Sequence, residues 1–254
     1  MIDAHNHLQD ERFGGCQDEI IAQMQSVGIN RCIVNGTSED DWPRVAELAR
    51  AYPEYITPSF GLHPWKVSTR SDHWLSVLKE NLLEFPNAGL GECGLDRWIK
   101  EPHFQEQKEA FLSQLILAQE LARPVTVHSL KAWGPLLEIL YSLEKIPRFL
   151  MHSFSGSLEV AHELTQLGAY FSISGYFFHK RKAPQLEVFK NLPPDRILIE
   201  TDAPDMIPPA QMIDFPFEAL NHPANLTRIH QGLLDELQLT QKQLLKNTKA
   251  FFDL

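Results

Sequence analysis

Histidine and carboxylate residues recur along this chain at the ends of short apolar segments. Imidazole nitrogens and carboxylate oxygens together suit a hydrolytic divalent metal ion. In each of five segments one such group lies at or near the end of the apolar run. The segments are Ile2–His7, Ala88–Asp96, Pro124–His128, Arg148–His152 and Ile197–Asp202. The pattern predicts a metal centre assembled from strands that are far apart in sequence.

The first segment carries two candidate ligands, His5 and His7, separated by one residue. Side chains on a β-strand alternate between its two faces, so residues i and i+2 point the same way. Both imidazoles can therefore contact one ion. Of the other candidates, His128, His152 and Asp202 each end an apolar segment, and any one of them taken alone could equally be a polar residue satisfied within the core.

The candidate Glu92 lies on a segment with three glycines, Gly89, Gly91 and Gly94. Glycine within a strand often marks a close approach of another group to the backbone. A carboxylate in such an apolar strand is rarely buried without a partner, and a metal ion is a natural one. Alternation places Cys93 on the opposite face from Glu92, so we expect its thiol to pack in the core.

The elements that must position these residues alternate strand and helix eight times. Three further strands are predicted at Arg31–Gly36, Tyr55–Leu62 and Ala169–Gly175. Helices are predicted at Asp18–Val27, Asp41–Tyr52, Phe104–Ala122 and Leu158–Leu167, with C-terminal glycines at Gly28 and Gly168 and a capping box at Thr240 and Gln243. This alternation predicts an α/β fold with a parallel sheet, closed as a TIM-like (β/α)8 barrel. An open doubly wound sheet is the alternative, but the chain has neither a dinucleotide-binding glycine motif nor a P-loop.

Composition narrows the class of protein. The 254 residues suit one barrel domain spanning residues 1–254, with 43% hydrophobic and 22% charged residues. We expect no signal peptide and no membrane span. Three cysteines without a CxxC pair predict a reduced, cytoplasmic protein. The formal net charge of −10 argues against tight, nonspecific binding to duplex nucleic acid.

Motifs along the whole chain resemble those of the TatD-family metal-dependent hydrolases, the TatD-like deoxyribonucleases. The matching motifs are Asp3-Ala4-His5-Asn6-His7, Gly61-Leu62-His63-Pro64, Gly91-Glu92-Cys93-Gly94-Leu95-Asp96, His152-Ser153-Phe154-Ser155-Gly156, Glu200-Thr201-Asp202-Ala203-Pro204 and Asn247-Thr248 with Phe251-Phe252. They occur in the order that the family has them, from residue 2 to residue 252.

The resemblance implies a centre of two divalent metal ions, either Mg²⁺, Mn²⁺ or Zn²⁺. The implied ligands are His5, His7 and Asp202 for one ion, His128 and His152 for the second, and Glu92 between them. Asp202 and Glu92 are the implied catalytic carboxylates. His63 is a further catalytic candidate, which either contacts a substrate oxyanion or only supports the ligands.

Three departures from the family pattern bear on the substrate. The arginine of the family's His-x-Arg-x-Ala motif is replaced by Leu130, and the neighbouring Lys131 does not simply take its place. Arg97 stands where the family has tyrosine, which adds a cation. The usually basic segment before Asn-x-Pro reads Phe217-Glu218-Ala219-Leu220-Asn221-His222-Pro223 and has lost positive charge.

Aromatic and basic residues follow several of the predicted strands. Trp65, Trp98 and Trp133 are expected in loops that border the mouth of the barrel, and Tyr176–Lys182 combines aromatic residues with a basic run. Such side chains could stack and neutralise a single-stranded nucleic acid. Equally, the tryptophans could pack loops together and the basic run could be a solvated turn.

The leading functional hypothesis is a phosphodiesterase or deoxyribonuclease that acts on single-stranded DNA ends from 3′ to 5′. The alternative is a hydrolase of another ester or amide, such as an aminoacyl-tRNA deacylase or a small-molecule amidohydrolase, which the leucine at position 130 favours. A scaffold without chemistry is disfavoured because all six implied ligands are present. We expect a nucleic acid end or another ester as the partner, with no membrane and no obligate protein partner.

Overall fold

Eight parallel strands form the centre of the protein in the computed structural model, which describes all 254 residues. The strands are β1 (Ile2–Asn6), β2 (Arg31–Asn35), β3 (Ile56–Phe60), β4 (Gly89–Asp96), β5 (Val125–Leu130), β6 (Phe149–Met151), β7 (Tyr170–Ser174) and β8 (Ile197–Glu200). Each strand pairs in parallel with the next one along the chain. All eight strands predicted from the sequence are confirmed, with small shifts at their ends.

The sheet closes where the end of β8 meets β1. The backbone N–H of Asp202 donates to the carbonyl of His5 at 2.9 Å, and the N–H of His7 donates to the carbonyl of Ala203 at 2.8 Å. The Asp3 carboxylate strengthens this seam, because it accepts the backbone N–H of Thr201 at 2.9 Å. The predicted TIM-like (β/α)8 barrel is therefore confirmed and the open sheet is excluded.

Nine α-helices lie between and after the strands. They are α1 (Gln17–Ser26), α2 (Trp42–Ala51), α3 (Trp74–Glu84), α4 (Phe104–Glu120), α5 (Trp133–Ser142), α6 (Leu158–Gln166), α7 (Ala183–Phe189), α8 (Leu226–Leu237) and α9 (Gln241–Phe252). Gly28 and Gly168 follow α1 and α6 with φ of +80° and +87°, as C-terminal glycines do. The capping box at Thr240 and Gln243 starts α9. None of these helices combines the length and the apolar character needed to span a bilayer.

The glycines of β4 let the next strand approach closely. A Cβ atom at Gly94 would lie 1.9 Å from the carbonyl oxygen of His128, and one at Gly91 would lie 2.7 Å from that of Thr126. The predicted close approach is therefore made by the backbone of β5. Cys93 is fully buried in the core beside this contact, as expected. The tight β4–β5 pairing brings Glu92 and His128 to the same end of the barrel.

Candidate metal centre

The six predicted ligands lie together at the carboxyl ends of β1, β4, β5, β6 and β8. The central residue is Glu92, whose side chain is almost completely buried. Its two carboxylate oxygens face different groups of imidazoles: Oε2 faces His5 and His7, and Oε1 faces His128 and His152. One carboxylate thus lies between two sets of nitrogen atoms.

The first set surrounds Oε2 of Glu92. The Nε2 atom of His5 lies 3.4 Å from this oxygen and the Nε2 atom of His7 lies 3.3 Å from it. Oδ1 of Asp202 lies 3.3 Å and 3.6 Å from the same two nitrogens. The ligand atoms of His5, His7 and Asp202 are close enough together to hold one metal ion.

The second set surrounds Oε1 of Glu92. His152 Nε2 is 2.7 Å from this oxygen, His128 Nδ1 is 3.0 Å from it and His63 Nε2 is 3.3 Å from it. The nitrogens of His128 and His152 that face Glu92 lie 3.3 Å apart. Within this set, the ligand atoms of His63, Glu92 and His128 lie within 4.8 Å of one another, whereas that of His152 lies equally close to those of His5 and Glu200.

The electrostatics of the cluster favour positive charge between these side chains. Burial by itself would raise the pKa of Glu92, but the charge of His152 and hydrogen bonds from His128 and His152 hold this pKa well below its usual range. Burial would lower the pKa of His152, but the charge of Glu92 and hydrogen bonds to carboxylates raise it well above its usual range. A divalent cation would take the place of these protons, since metal binding to imidazole competes with protonation. The donor set therefore fits the implied metal ions.

Hydrogen bonds at the far side of two rings fix which nitrogen faces the centre. Nδ1 of His7 lies 2.8 Å from the carbonyl oxygen of Asn35, which only accepts, so Nδ1 carries a proton and the neutral ring that a metal ion binds has its free lone pair on Nε2. Nε2 of His128 lies 2.8 Å from a carboxylate oxygen of Asp96, which leaves Nδ1 free towards Glu92. Such partners orient metal-binding imidazoles and raise their basicity.

The ring of His63 has the opposite arrangement. Its Nδ1 accepts the backbone N–H of Trp65 at 3.1 Å, so in the neutral ring the proton lies on Nε2, the atom that faces Glu92. Burial lowers the pKa of His63, which favours this neutral form. A protonated nitrogen cannot bind a metal ion. Although His63 lies near Glu92 and His128, its geometry is that of a hydrogen-bond donor.

Two carboxylates beside the centre have roles that were not predicted from the sequence. Asp96 orients His128, and its Oδ2 also accepts the indole N–H of Trp65 at 2.8 Å. Glu200 accepts both the backbone N–H and the hydroxyl of Ser153 at 2.7 Å, directly after His152. Both residues lie within the quoted motifs, and a carboxylate that ends or adjoins an apolar strand was the available signal. Their oxygens are engaged by protein donors, so we assign them supporting roles.

We expect Asp96→Asn to weaken metal binding and activity about ten-fold to hundred-fold, the usual cost of losing such a supporting carboxylate. An amide presents an N–H₂ group as well as an oxygen, and it cannot hold the His128 tautomer as firmly. Metal titration by calorimetry, followed by kinetics at saturating metal, would measure the two effects. Asp72→Asn, an exposed change outside the site, is the matched control. Wild-type affinity in Asp96→Asn would contradict the role of Asp96.

The centre opens into a cavity of about 780 Å³ at the barrel mouth. Two of the three predicted tryptophans line it: Trp65 and Trp98 are 49% and 61% exposed. Leu130 and Lys131 also line it, so the position that departs from the family pattern faces the cavity.

Two residues that follow strands, Trp133 and Arg97, lie outside the lining of the cavity. Trp133 begins α5 and packs against the buried Phe154, with ring centroids 5.2 Å apart, so it does not line the cavity as expected and instead packs the start of α5 onto the core. Arg97 lies over the ring of Phe104 at 3.9 Å and does not line the cavity, because the aromatic face holds its guanidinium group on α4. Of the basic run that ends at Lys182, only that last residue lines the cavity.

A closed parallel barrel with histidines and carboxylates converging at the carboxyl ends of its strands defines a class, the metal-dependent barrel hydrolases. The chain matches the family model described as TatD related DNase over residues 2–253. It belongs to the TatD-related DNase family.

Individual relatives agree with this assignment. The chain is 34% identical over 212 residues to a protein of Cronobacter sakazakii named 3′-5′ ssDNA/RNA exonuclease TatD, covering 82% of this chain and 80% of that one. A Klebsiella pneumoniae protein of the same name is 31% identical over 260 residues, covering 99% and 97%. The crystal structure of a TatD homologue of Escherichia coli, YJJV, superposes with a TM-score of 0.91 at 29% identity and covers 100% and 98%.

Proposed function

We propose that this protein hydrolyses phosphodiester bonds at the 3′ ends of single-stranded nucleic acid, using two divalent metal ions held on either side of Glu92. The proposal rests on the position of Glu92, whose two carboxylate oxygens face two separate sets of imidazoles. The names of the relatives support the same substrate class.

The proposed ligands divide between the two oxygens. His5, His7 and Asp202 would hold one ion. His128 and His152, whose facing nitrogens lie 3.3 Å apart, would hold the other, and Glu92 contacts both sets. When bound, the two ions polarise the attacked phosphate and lower the pKa of water. Their identity, whether Mg²⁺, Mn²⁺ or Zn²⁺, is left to elemental analysis.

Two further protein groups act on the substrate in this proposal. Asp202 uses Oδ1 towards His5 and His7, which leaves Oδ2 to accept the proton of the attacking water. His63 lines the cavity, and its Nε2–H, which faces Glu92 in the structure, would donate to a non-bridging phosphate oxygen of the bound substrate. This places His63 as an oxyanion donor rather than a metal ligand.

The substrate binding surface suits unpaired bases. Trp65 and Trp98 are about half exposed and line the cavity, and stacking of a base on such a side chain contributes about 1–3 kcal/mol. The bases at the end of a duplex are already stacked on one another, so contact with the tryptophans would add less binding free energy. The single-strand preference rests on these two side chains.

The direct test is hydrolysis by protein reconstituted with each metal. Labelled single- and double-stranded DNA, RNA, aminoacyl-tRNA and simple carboxylic esters would be compared at equal concentration. Stepwise release of nucleotides from the 3′ end of single strands is the expected result. Hydrolysis of aminoacyl-tRNA or simple esters without any cleavage of nucleic acid would overturn the proposal.

We expect Leu130→Arg to raise kcat/KM on single-stranded DNA about ten-fold, up to a hundred-fold, at low substrate concentration. Leu130 lines the cavity, and an added guanidinium group can make a charge-assisted contact of about 1.5–3 kcal/mol with phosphate. Leu130→Met, which adds no charge, is the control. If the native substrate is a carboxylic ester or amide instead, the arginine would gain nothing on DNA and would slow that native reaction.

We also infer a cytoplasmic location. The three cysteines are free thiols and two of them are buried, which suits a reducing compartment. Fractionation of cells that produce the protein would test this.

A further inference from the structure

The charged side chains that line the cavity are divided between two arcs of the barrel mouth. The loops after β8, β1 and β2, together with the first turn of α2, form an acidic arc. Apart from the proposed ligand Asp202, it contributes five carboxylates and two guanidinium groups, from Asp10, Glu11, Asp40, Asp41, Asp205, Arg12 and Arg44. The loops after β3 to β7 form a basic arc, which contributes Lys66, Lys131 and Lys182 and no carboxylate other than Glu92. The metal centre lies between the two.

The two arginines of the acidic arc are already neutralised. Arg12 lies 2.7 Å from the carboxylates of both Asp10 and Asp205, and Arg44 lies 3.0 Å from that of Glu11. Neither guanidinium group is therefore a free phosphate site. Asp40, by contrast, is exposed and lies in the same arc without a cation beside it.

The lysines of the basic arc have no such partners. None of Lys66, Lys131 and Lys182 forms an ion pair with a carboxylate. Lys182 instead lies 5.2 Å from the centre of the Tyr176 ring. Three free ammonium groups on one side of the cavity are a local exception in a chain whose net charge is −10. They can each neutralise one phosphate.

We propose that the two arcs make the cavity accept the end of a single strand and reject a strand that continues through it. The body of the strand lies on the basic arc, where its phosphates meet the three lysines. The acidic arc faces the terminal nucleotide, and a further phosphate there would meet the unpaired carboxylate of Asp40 in an arc whose five carboxylates outnumber its two guanidinium groups. This inference rests on the proposed nuclease function and names what restricts that function to chain ends.

The test compares a linear and a circular single strand of the same sequence, both with a phosphorothioate backbone that slows hydrolysis. Fluorescence anisotropy in the presence of divalent metal gives the Kd of each. We expect the wild-type protein to bind the circle about ten-fold or more weakly than the linear strand, because the circle must place phosphate on the acidic arc. In Asp40→Lys the ratio of the Kd for the circle to the Kd for the linear strand should fall to about three, and in Asp40→Asn this ratio should fall by less.

Matched control variants separate an effect of charge inside the cavity from an effect of the protein's net charge. Asp72→Lys makes the same charge change at an exposed site outside the cavity and should leave the ratio unchanged. In the double variant Lys131→Gln and Lys182→Gln, the negative slope of log K against log salt for the linear strand should become shallower by about 1.4. Lys180→Gln changes the same basic run outside the cavity and should leave this slope unchanged.

Two results would overturn the proposal that the arcs select for the end of a strand. Equal binding of circle and linear strand by the wild-type protein overturns it, as does an Asp72→Lys variant that narrows the ratio as much as Asp40→Lys. Asp40 makes no side-chain hydrogen bond or ion pair, so these variants are expected to fold. Failure of the wild-type protein to bind either strand refutes the proposed nuclease function itself, which distinguishes that failure from a fault in the charge argument.

Discussion

Glu92→Gln should reduce kcat by about a thousand-fold or more while the protein stays folded. The substitution keeps the size of the side chain but removes the charge that both sets of imidazoles face. Two-metal centres contribute several kcal/mol to the stabilisation of a transition state, and each 1.36 kcal/mol is worth about ten-fold in rate. An amide can offer one oxygen to one side only, so it cannot serve both sets.

The measurement is the initial rate on a labelled single strand at saturating metal, beside the circular dichroism spectrum and the Tm. Glu47→Gln, an exposed change on α2 with the same loss of charge, is the control and should retain full activity. A folded Glu92→Gln protein with a rate within ten-fold of wild type would mean that no reaction step depends on this carboxylate.

The double variant His5→Ala and His7→Ala should lower the metal content from about two ions per chain to about one and abolish turnover. These two imidazoles face Oε2 of Glu92 together with Asp202, whereas His128 and His152 surround Oε1. The second set is unchanged in the variant and should still hold its ion. A two-metal reaction needs both positions, so the loss of rate should match that of Glu92→Gln.

Elemental analysis after dialysis against metal would count the ions, and the same assay would give the rate. His73→Ala with His162→Ala removes two exposed histidines outside the cavity and should change neither quantity. Two ions in the His5→Ala and His7→Ala protein would show that the first set does not bind metal. Complete loss of metal would instead show that the two sets bind as one unit.

Local pattern in the sequence was sufficient for much of the architecture. Apolar runs of strand length, helical stripes between them and glycines at helix ends are short-range signals, and they correctly located all eight strands and the ends of α1 and α6. The alternation of side chains on a strand also placed His5 and His7 on one face and Cys93 on the opposite face from Glu92. Parallel strands in a closed barrel then bring their carboxyl ends together, which is why the six candidate ligands converge.

The loop residues were less predictable. Trp133 was expected at the mouth, yet it packs against Phe154 and does not line the cavity. Arg97 also follows a strand, and its guanidinium group lies over the ring of Phe104 instead of lining the cavity. Position after a strand gives the height of a residue in the barrel but not the direction of its side chain. That direction depends on packing partners that come from other elements.

The sequence by itself determined the barrel, the residue types at its mouth and the set of candidate ligands, because each depends on residues near one another in the chain. Only the tertiary structure decided how those residues are used. The proton of His63 is placed on Nε2 by the backbone of Trp65, and the two oxygens of Glu92 are assigned to different imidazoles by strands β1, β5 and β6. The separation of acidic and basic arcs likewise arises from loops that are distant in sequence. Hydrogen-bond direction and electrostatic field depend on distances in space, which the order of residues along the chain does not contain.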